Sequence, residues 1–207
     1  MDYATRNQLQ EGSETDPFTE SRYAQFAKFL PAGATKVLDV GCNTGRGGEA
    51  LKLRRPELQL FGLDLLQSRL DRLPTSVYAG TVCGPATQIP AEDETYDAVV
   101  AGEFIEHLLP IDAQRFVADS FRVLKVRGKL LLTTPNPGDA KMRLRGGTCL
   151  GGAHLSQHHP DTLLLMMKMF GFSRVRALGS GKVTWYLGDR FPWLGIYGSF
   201  LAVGEKV

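Results

Sequence analysis

The sequence has few cysteines, no long apolar run and no excess of charge of one sign. Its three cysteines, Cys42, Cys83 and Cys149, lie far apart, which argues against a disulfide framework and favours a reducing, cytoplasmic environment. No apolar run approaches the ~20 residues of a membrane-spanning helix, and the polar first residues carry no apolar signal segment. Because 24 basic residues face 22 acidic ones without a dense basic cluster, we expect neither nucleic acid nor a membrane surface as the main partner.

Length and composition predict one globular domain. The chain has 207 residues, of which 43% are hydrophobic and 22% charged, as in ordinary folded domains. Residues 1–18 are polar and rich in Gln, Glu, Ser and Thr, which predicts a flexible N-terminal arm. Residues 19–207 are predicted to form the single domain, with a Gly- and Pro-containing loop at about 135–160 that covers the substrate pocket.

Apolar runs alternate with segments of helical periodicity along this domain. The predicted helices are 19–30, 45–55, 65–73, 112–124 and 161–170. The predicted strands are 36–40, 58–63, 76–79, 96–101, 128–134, 172–178 and 199–203. The alternation predicts an α/β fold in which helices cover both faces of a doubly wound, mostly parallel sheet.

The turn after the first predicted strand is built for close approach to a ligand. Gly41 and Gly45 let the backbone come near a bound molecule, and Asn43 tolerates a left-handed backbone better than most residues. At the carboxyl edge of a parallel sheet such a turn forms a nucleotide-shaped crevice. Asp64 closes the second strand about 20 residues later, the separation at which an acid accepts hydrogen bonds from ribose hydroxyls. Together these residues predict an adenosine-containing ligand.

The details of the turn separate one adenosine-containing ligand from another. A dinucleotide fingerprint needs glycine at the first, third and sixth positions, but here Asn43 and Arg46 follow Gly41 at the third and sixth. The Gly-x-Lys-Ser/Thr part of a phosphate-binding loop is also missing. Asp39, two residues before Gly41, is placed to meet a cationic amino group or to organise the loop amides.

These segments resemble the class I S-adenosylmethionine-dependent methyltransferases, in particular the branch called methyltransferase type 11. The run Asp39-Val40-Gly41-Cys42-Asn43-Thr44-Gly45 is similar to the family's first motif, with Asn43 in place of the middle glycine. The segments Tyr96–Val99 with Glu106-His107, and 124–136 with its Thr134-Pro135-Asn136 end, are similar to its fourth and fifth motifs.

The resemblance implies a Rossmann-like sheet of seven strands with the last strand antiparallel, and S-adenosylmethionine as cofactor. The family usually has an adenine-binding acid where this chain has Pro85, so we expect the backbone near Ala86 and Thr87 to hold the adenine. Gly102 and Glu103 follow the fourth strand and are expected beside the sulfonium. The predicted cofactor-binding residues are Asp39, Gly41, Cys42, Asn43, Gly45, Asp64, Leu65, Ala86, Thr87, Gly102 and Glu103.

Histidines are the candidate catalytic residues. His107 lies one helical turn beyond Glu103, and it is either a general base, as an ordinary pKa of ~6.5 would allow, or a packed side chain bonded to a carbonyl. His154 lies in the loop expected above the substrate. His154 and His158 have a spacing that would suit a metal on a helix, but Gly151-Gly152 and Pro160 argue against a helix, so no metal site is predicted.

The predicted function is methyl transfer to a small-molecule acceptor. The sequence predicts no particular oligomeric state. A sugar or polysaccharide precursor is suggested by the resemblance of the regions around Asn136 and His154 to that branch. The aromatic run Trp185, Tyr186, Phe191, Trp193 and Tyr197 either lines a pocket for a flat acceptor or covers the sheet edge as core. The alternatives are a cofactor-binding scaffold or regulator without turnover, and a nicotinamide-dependent oxidoreductase.

Overall fold

Strands and helices alternate in a computed structural model that describes Tyr3, Thr5 and residues 15–207. The strands are β1 (Lys36–Val40), β2 (Gln59–Asp64), β3 (Tyr78–Cys83), β4 (Tyr96–Gly102), β5 (Leu124–Pro135), β6 (Ser173–Ser180) and β7 (Ser199–Glu205). The helices of residues 15–207 are α1 (Thr19–Phe29), α2 (Arg46–Arg54), α3 (Gln67–Leu70), α4 (Pro110–Val123), α5 (Ala140–Leu144), α6 (Pro160–Met169) and α7 (Thr184–Leu187). Short 3-10 turns cover Ile105–His107 and Leu194–Ile196.

The strands form one seven-stranded sheet in the order β3-β2-β1-β4-β5-β7-β6. The pairs among β1 to β5 are parallel, whereas β7 runs antiparallel to both β5 and β6. The predicted fold class, including the antiparallel last strand, is therefore confirmed. Chain order reverses between β1 and β4, and ligands of such sheets bind at the carboxyl edge beside this reversal.

Alternate residues of the central strands feed two apolar layers, one on each face. Leu38 and Val99 pack in the layer that contains Phe116 of α4. Val37 and Val100 pack in the opposite layer, with α1 and α2. All of these strand side chains are fully buried, as expected for a parallel sheet with helices on both faces.

Most predicted boundaries agree with the observed ones, and the exceptions lie where chain connections are unusual. Helix α4 passes directly into β5, so that strand begins at Leu124 rather than at residue 128. The predicted loop at 135–160 contains α5, whose first turn is capped by Asp139, the acceptor from the Lys141 and Met142 N–H groups. Helix α7 was not anticipated from the sequence.

The predicted N-terminal arm falls mainly on residues 1–14, which lie outside the described ones except for Tyr3 and Thr5. The Tyr3 hydroxyl donates to Asp112 Oδ2 and accepts from the Leu109 N–H, at the start of α4. At the other end of the arm, Asp16 forms an ion pair with Arg22. Within the described part of the chain, no helix is long and apolar enough to span a bilayer.

Candidate active site

The turn between β1 and α2 has the backbone that its sequence predicts. Gly41, Asn43 and Gly45 all have positive φ, of 69°, 50° and 94°. The Gly41 N–H donates to the Leu63 carbonyl at 2.8 Å, which fixes the turn against the end of β2. A Cβ on Gly45 would lie 2.9 Å from a Leu73 methyl, so both its conformation and its surroundings require glycine.

Asp64 connects this turn with the loop after β2. Its Oδ2 accepts from the Asn43 N–H at 3.1 Å, and its Oδ1 accepts from the Leu66 N–H at 2.9 Å. Arg69 lies 3.8 Å from Oδ2. Each carboxylate oxygen has two acceptor sites, so the carboxylate can hold both loops and still accept from a ligand hydroxyl.

A cavity, here called the inner cavity, lies between β1, β2 and β4 at the carboxyl edge. Eight of the predicted cofactor residues line it: Gly41, Asn43, Asp64, Leu65, Ala86, Thr87, Gly102 and Glu103. Apolar side chains, Leu63, Phe104 and Leu108 among them, form its walls. Tyr3 and Arg69 also line it, and neither was predicted as a site residue.

A second cavity of about 460 Å³, here called the wide cleft, adjoins the inner cavity. Five residues line both: Gly41, Asn43, Gly102, Glu103 and His107. The wide cleft is also lined by Cys42 of the turn, by Arg22 and Tyr23 of α1, by Glu106, and by His154. The site is therefore two connected spaces, and the junction lies at the ends of β1 and β4.

Asp39 lies behind the two cavities rather than in their walls. Its carboxylate accepts from the Tyr23 and Tyr78 hydroxyls, each at 2.6 Å, so the expected contact with a ligand amino group or the loop amides is not what the structure shows. Burial raises the pKa of Asp39 to about 6, although both hydroxyl bonds oppose the rise. Since Tyr23 lines the wide cleft, Asp39 acts on the site by holding this ring. Gly45 also lies outside the cavity walls and shapes the turn.

Two glycines in α2 explain how these tyrosines reach Asp39. A Cβ on Gly47 would lie 2.2 Å from the Tyr23 ring, and one on Gly48 would lie 2.1 Å from the Tyr78 hydroxyl. Sequence analysis did not identify Tyr23 as a site residue. The adjacent Gly47-Gly48 pair, unusual inside a helix, was the available signal, because it marks close packing against the helix backbone.

Glu103 continues from β4 with a left-handed backbone, φ 49°. Its N–H donates to the Thr133 carbonyl at 3.0 Å, and its carboxylate lies 3.3 Å from the Arg22 guanidinium. Burial raises the pKa of Glu103, and the Arg22 charge opposes that rise. Arg22, which also pairs with Asp16, was missed in the sequence because its role depends on the packing of α1 across the sheet edge.

Glu106 is almost completely buried, with 1% of its surface exposed, yet it reaches the wide cleft. Thr134 Oγ1 donates to Glu106 Oε2 at 3.0 Å, while no hydrogen-bond donor of the described residues reaches Oε1. Burial, together with the nearby Glu103 charge, holds the pKa of Glu106 well above its usual range. The sequence placed Glu106 in a family motif but gave it no role.

The two candidate histidines meet at the wide cleft, with ring centroids 5.0 Å apart. His107 Nδ1 bonds to the Ala153 carbonyl at 3.2 Å, and His154 Nδ1 bonds to the Cys149 carbonyl at 2.8 Å. Burial lowers the pKa of His107 to about 4, so the assumption of an ordinary pKa near neutrality is wrong. His107 thus combines the packed, carbonyl-bonded arrangement with a place on both cavity walls.

The remaining sequence candidates lie away from the chemistry. His158 is buried and its Nε2 bonds to Ser156 Oγ at 2.9 Å, so His154 meets His107 rather than His158. Four of the five aromatic residues in the 185–197 run are at least 40% exposed, which contradicts the interpretation that the run is core. Tyr197, fully buried, is the exception. None of the five lines the inner cavity or the wide cleft.

The structure combines a doubly wound sheet with two connected cavities at its carboxyl edge, beside the chain reversal where ligands of such sheets bind. Residues 38–132 match a family described as a methyltransferase domain. The chain is 29% identical to a demethylmenaquinone methyltransferase from Deinococcus radiodurans, over 82% of this chain and 81% of that protein. It is 30% identical to the biotin biosynthesis bifunctional protein BioHC of Saccharophagus degradans, over 53% of this chain but only 20% of that protein.

Among solved structures, the CcbJ methyltransferase from Streptomyces caelestis superposes with a TM-score of 0.73 at 16% identity, covering 96% of this chain and 100% of that one. At this identity the likeness shows a shared fold. The match over residues 38–132 and the methyltransferase relatives make this chain similar to the S-adenosylmethionine-dependent methyltransferases. S-adenosylmethionine is accordingly its cofactor, and the nicotinamide-dependent alternative is not supported.

Proposed function

We propose that this protein transfers a methyl group from S-adenosylmethionine to a small molecule bound in the wide cleft. The observation that carries the proposal is the junction of the two cavities, where Gly102, Glu103 and His107 line both. A ligand that spans the junction would present its reactive centre to whatever occupies the cleft. Positioning two reactants in this way can supply about 7–11 kcal/mol of barrier reduction.

The inner cavity fits the adenosine part of the cofactor. Asp64 offers acceptors for ribose hydroxyls, and apolar walls such as Leu63 and Leu108 suit a flat base. Position 41 requires glycine, because a Cβ there would lie 2.5 Å from the Phe104 ring. The backbone near Ala86 and Thr87 would hold the adenine edge.

The residues at the junction favour the reactive, positively charged end of the cofactor. S-adenosylmethionine supplies a methyl group on a positively charged sulfur, which leaves as a neutral thioether. Glu103 and Glu106 place carboxyl groups on this side of the site, and although burial raises the pKa of each, a positively charged sulfur beside them would favour their ionised forms. Arg22 fixes the Glu103 carboxyl in place.

A small hydroxylated or carbonyl-bearing molecule, of the aromatic kind that the Deinococcus relative's name indicates, is the acceptor that we propose. Glu106, His107 and His154 provide polar groups on one side of the wide cleft that can hydrogen-bond to such oxygens. A sugar acceptor remains an alternative: the Asn136 side chain donates to the Leu194 and Tyr197 carbonyls and so supports a loop, whereas His154 lines the wide cleft. We place the protein in the cytoplasm because of its few, distant cysteines, and we expect no nucleic-acid substrate because of its balanced charge.

A coupled assay for S-adenosylhomocysteine release tests this function. The intact protein would be incubated with S-adenosylmethionine and, in separate reactions, a short-chain hydroquinone, a malonyl thioester and a nucleotide sugar. We expect release with the hydroquinone, together with a product that mass spectrometry shows to be one methylene heavier. Tight cofactor binding without turnover of any acceptor would instead support a scaffold or regulator.

A further inference from the structure

Three metal-ligating side chains converge on one wall of the wide cleft. Glu106, His107 and His154 each offer one ligand atom, and these atoms all lie within 4.8 Å of one another. Glu106 and His107 belong to the 3-10 turn after β4, whereas His154 forms an isolated β-bridge with Gly151. Two distant segments therefore bring a carboxylate and two imidazoles together.

The surroundings of these residues hold them in fixed orientations. Thr134 Oγ1 donates to one Glu106 oxygen, and the Leu155 and Ser156 N–H groups both donate to the Glu106 carbonyl. The carbonyls of Ala153 and Cys149 accept from Nδ1 of His107 and His154. Backbone carbonyls that accept from one imidazole nitrogen orient the ring and fix its tautomer, as they do around bound metal ions.

The buried Glu106 carboxylate supplies an independent observation. Its Oε1 is buried, and none of the described residues donates a hydrogen bond to it. A buried carboxylate oxygen without a donor is costly, and in native proteins such an atom calls for a specific explanation. A cation at the centre of the three ligand atoms would satisfy this oxygen.

The donor set indicates the kind of cation. Two imidazoles and one carboxylate suit first-row divalent transition metals, whereas Mg²⁺ and Ca²⁺ prefer all-oxygen sites. In a tetrahedral site with bonds of about 2.1 Å, ligand atoms stand about 3.4 Å apart. The three ligand atoms lie within 4.8 Å of one another, so metal binding would draw them closer together.

We propose that Glu106, His107 and His154 bind a divalent transition-metal ion, of which Zn²⁺ is the reference case, on the wall of the wide cleft. Because all three residues line the wide cleft, an ion bound there would be open to an oxygen of the acceptor as a further ligand. The ion would orient this oxygen and lower the pKa of its hydroxyl, whose proton passes to water. This role, though not the binding itself, rests on the proposed methyl transfer.

Metal binding can be measured without any turnover. The full chain, stripped with a chelator, would be titrated with Co²⁺ and followed by visible absorption, and with Zn²⁺ by calorimetry. We expect one ion per chain and at least a tenfold loss of affinity in His154→Ala and Glu106→Gln. His159→Ala is the matched control, because His159 is exposed and lies outside the cluster.

Far-UV circular dichroism of the same samples shows whether each variant is folded, and S-adenosylhomocysteine binding by wild type reports on the cofactor site. His154→Ala, in a surface segment, keeps the test valid if Glu106→Gln does not fold. Absence of Co²⁺ and Zn²⁺ binding at millimolar concentration, or equal affinities in His154→Ala and His159→Ala, would overturn the metal site. If the protein bound metal but not S-adenosylhomocysteine, the metal site would be supported and the methyltransferase function would be contradicted.

Discussion

Carboxyl groups at the two edges of the sheet have different hydrogen-bond partners and different pKa values. At the amino edge, Asp97 accepts from the Thr35 and Lys36 N–H groups at 2.9 and 2.8 Å and from Lys125 Nζ at 2.8 Å. Burial pushes the pKa of Asp97 up, but these hydrogen bonds outweigh it and lower the pKa to about 2. At the carboxyl edge, Asp39 is fully buried with two neutral hydroxyls, and its pKa rises to about 6.

This difference separates structural from functional carboxyl groups. Asp97 is paired with Lys125 and with the Thr35 and Lys36 N–H donors, and so ties the start of β4 to β1. Asp39 and Glu106 are buried and form no ion pair within the described part of the chain, so burial raises their pKa values, and a bound cation would favour their ionised forms. Such an edge suits a cofactor with a positively charged centre.

The largest effect is expected from blocking the tyrosine that covers Asp39. We expect Gly47→Ala to lower the free energy of unfolding by about 3 kcal/mol, because the new methyl collides with the Tyr23 ring and displaces it from Asp39. Urea denaturation measures this. Gly33→Ala is the control, since Gly33 has open space around its Cβ position. Equal stability of the two variants would contradict the packing of Tyr23 against α2.

Asp39→Asn should expose the pH dependence of the carboxyl edge. The folded pKa, about 6, lies above the unfolded value of about 3.9, so the native state binds this proton more tightly. Wild type should therefore lose about 2–3 kcal/mol relative to Asp39→Asn as the pH rises from about 4 to about 7. Chemical denaturation at several pH values checks this, and a constant difference between the two proteins would refute it.

Asp97→Asn should show a smaller effect of the opposite sign. Its folded pKa of about 2 lies below the unfolded value, so its contribution is present near neutrality and is lost as the pH falls from about 5 toward 2. We expect wild type to exceed Asp97→Asn by about 1 kcal/mol at pH 7, after allowance for solvent screening. The same denaturation series measures it. If wild type instead lost stability relative to Asp97→Asn as the pH rose, the predicted sign for Asp97 would be wrong.

Local signals were enough to predict the sheet and most of the inner cavity. Strand periodicity, the left-handed positions at Gly41 and Asn43, and the spacing to Asp64 are all short-range properties of the chain. The wide cleft depends on long-range packing instead. Tyr23 meets Asp39, and Thr134 meets Glu106, only after α1 and β5 have packed against β1 and β4.

The exposed aromatic run at 185–197 is a second feature whose burial could not be predicted from the sequence. Trp185 and Trp193 are large apolar residues of the kind found in cores, yet they are 57% and 60% exposed. The sequence alone does not show whether another element covers them. Burial of His107 likewise changes its pKa by an amount that no sequence pattern contains. The fold and the turn that lines the inner cavity were thus predictable, whereas the pKa values of the site residues required the structure.

The account rests most directly on the carboxyl edge as the cofactor site, and one calorimetric titration tests it. S-adenosylmethionine would be titrated into wild type, Asp64→Ala and Asp97→Ala, which remove one carboxylate from each edge of the sheet. We predict at least a tenfold weaker affinity for Asp64→Ala, about 1.4 kcal/mol or more, and an unchanged affinity for Asp97→Ala. Folded Asp64→Ala protein that binds the cofactor as tightly as wild type would contradict the account.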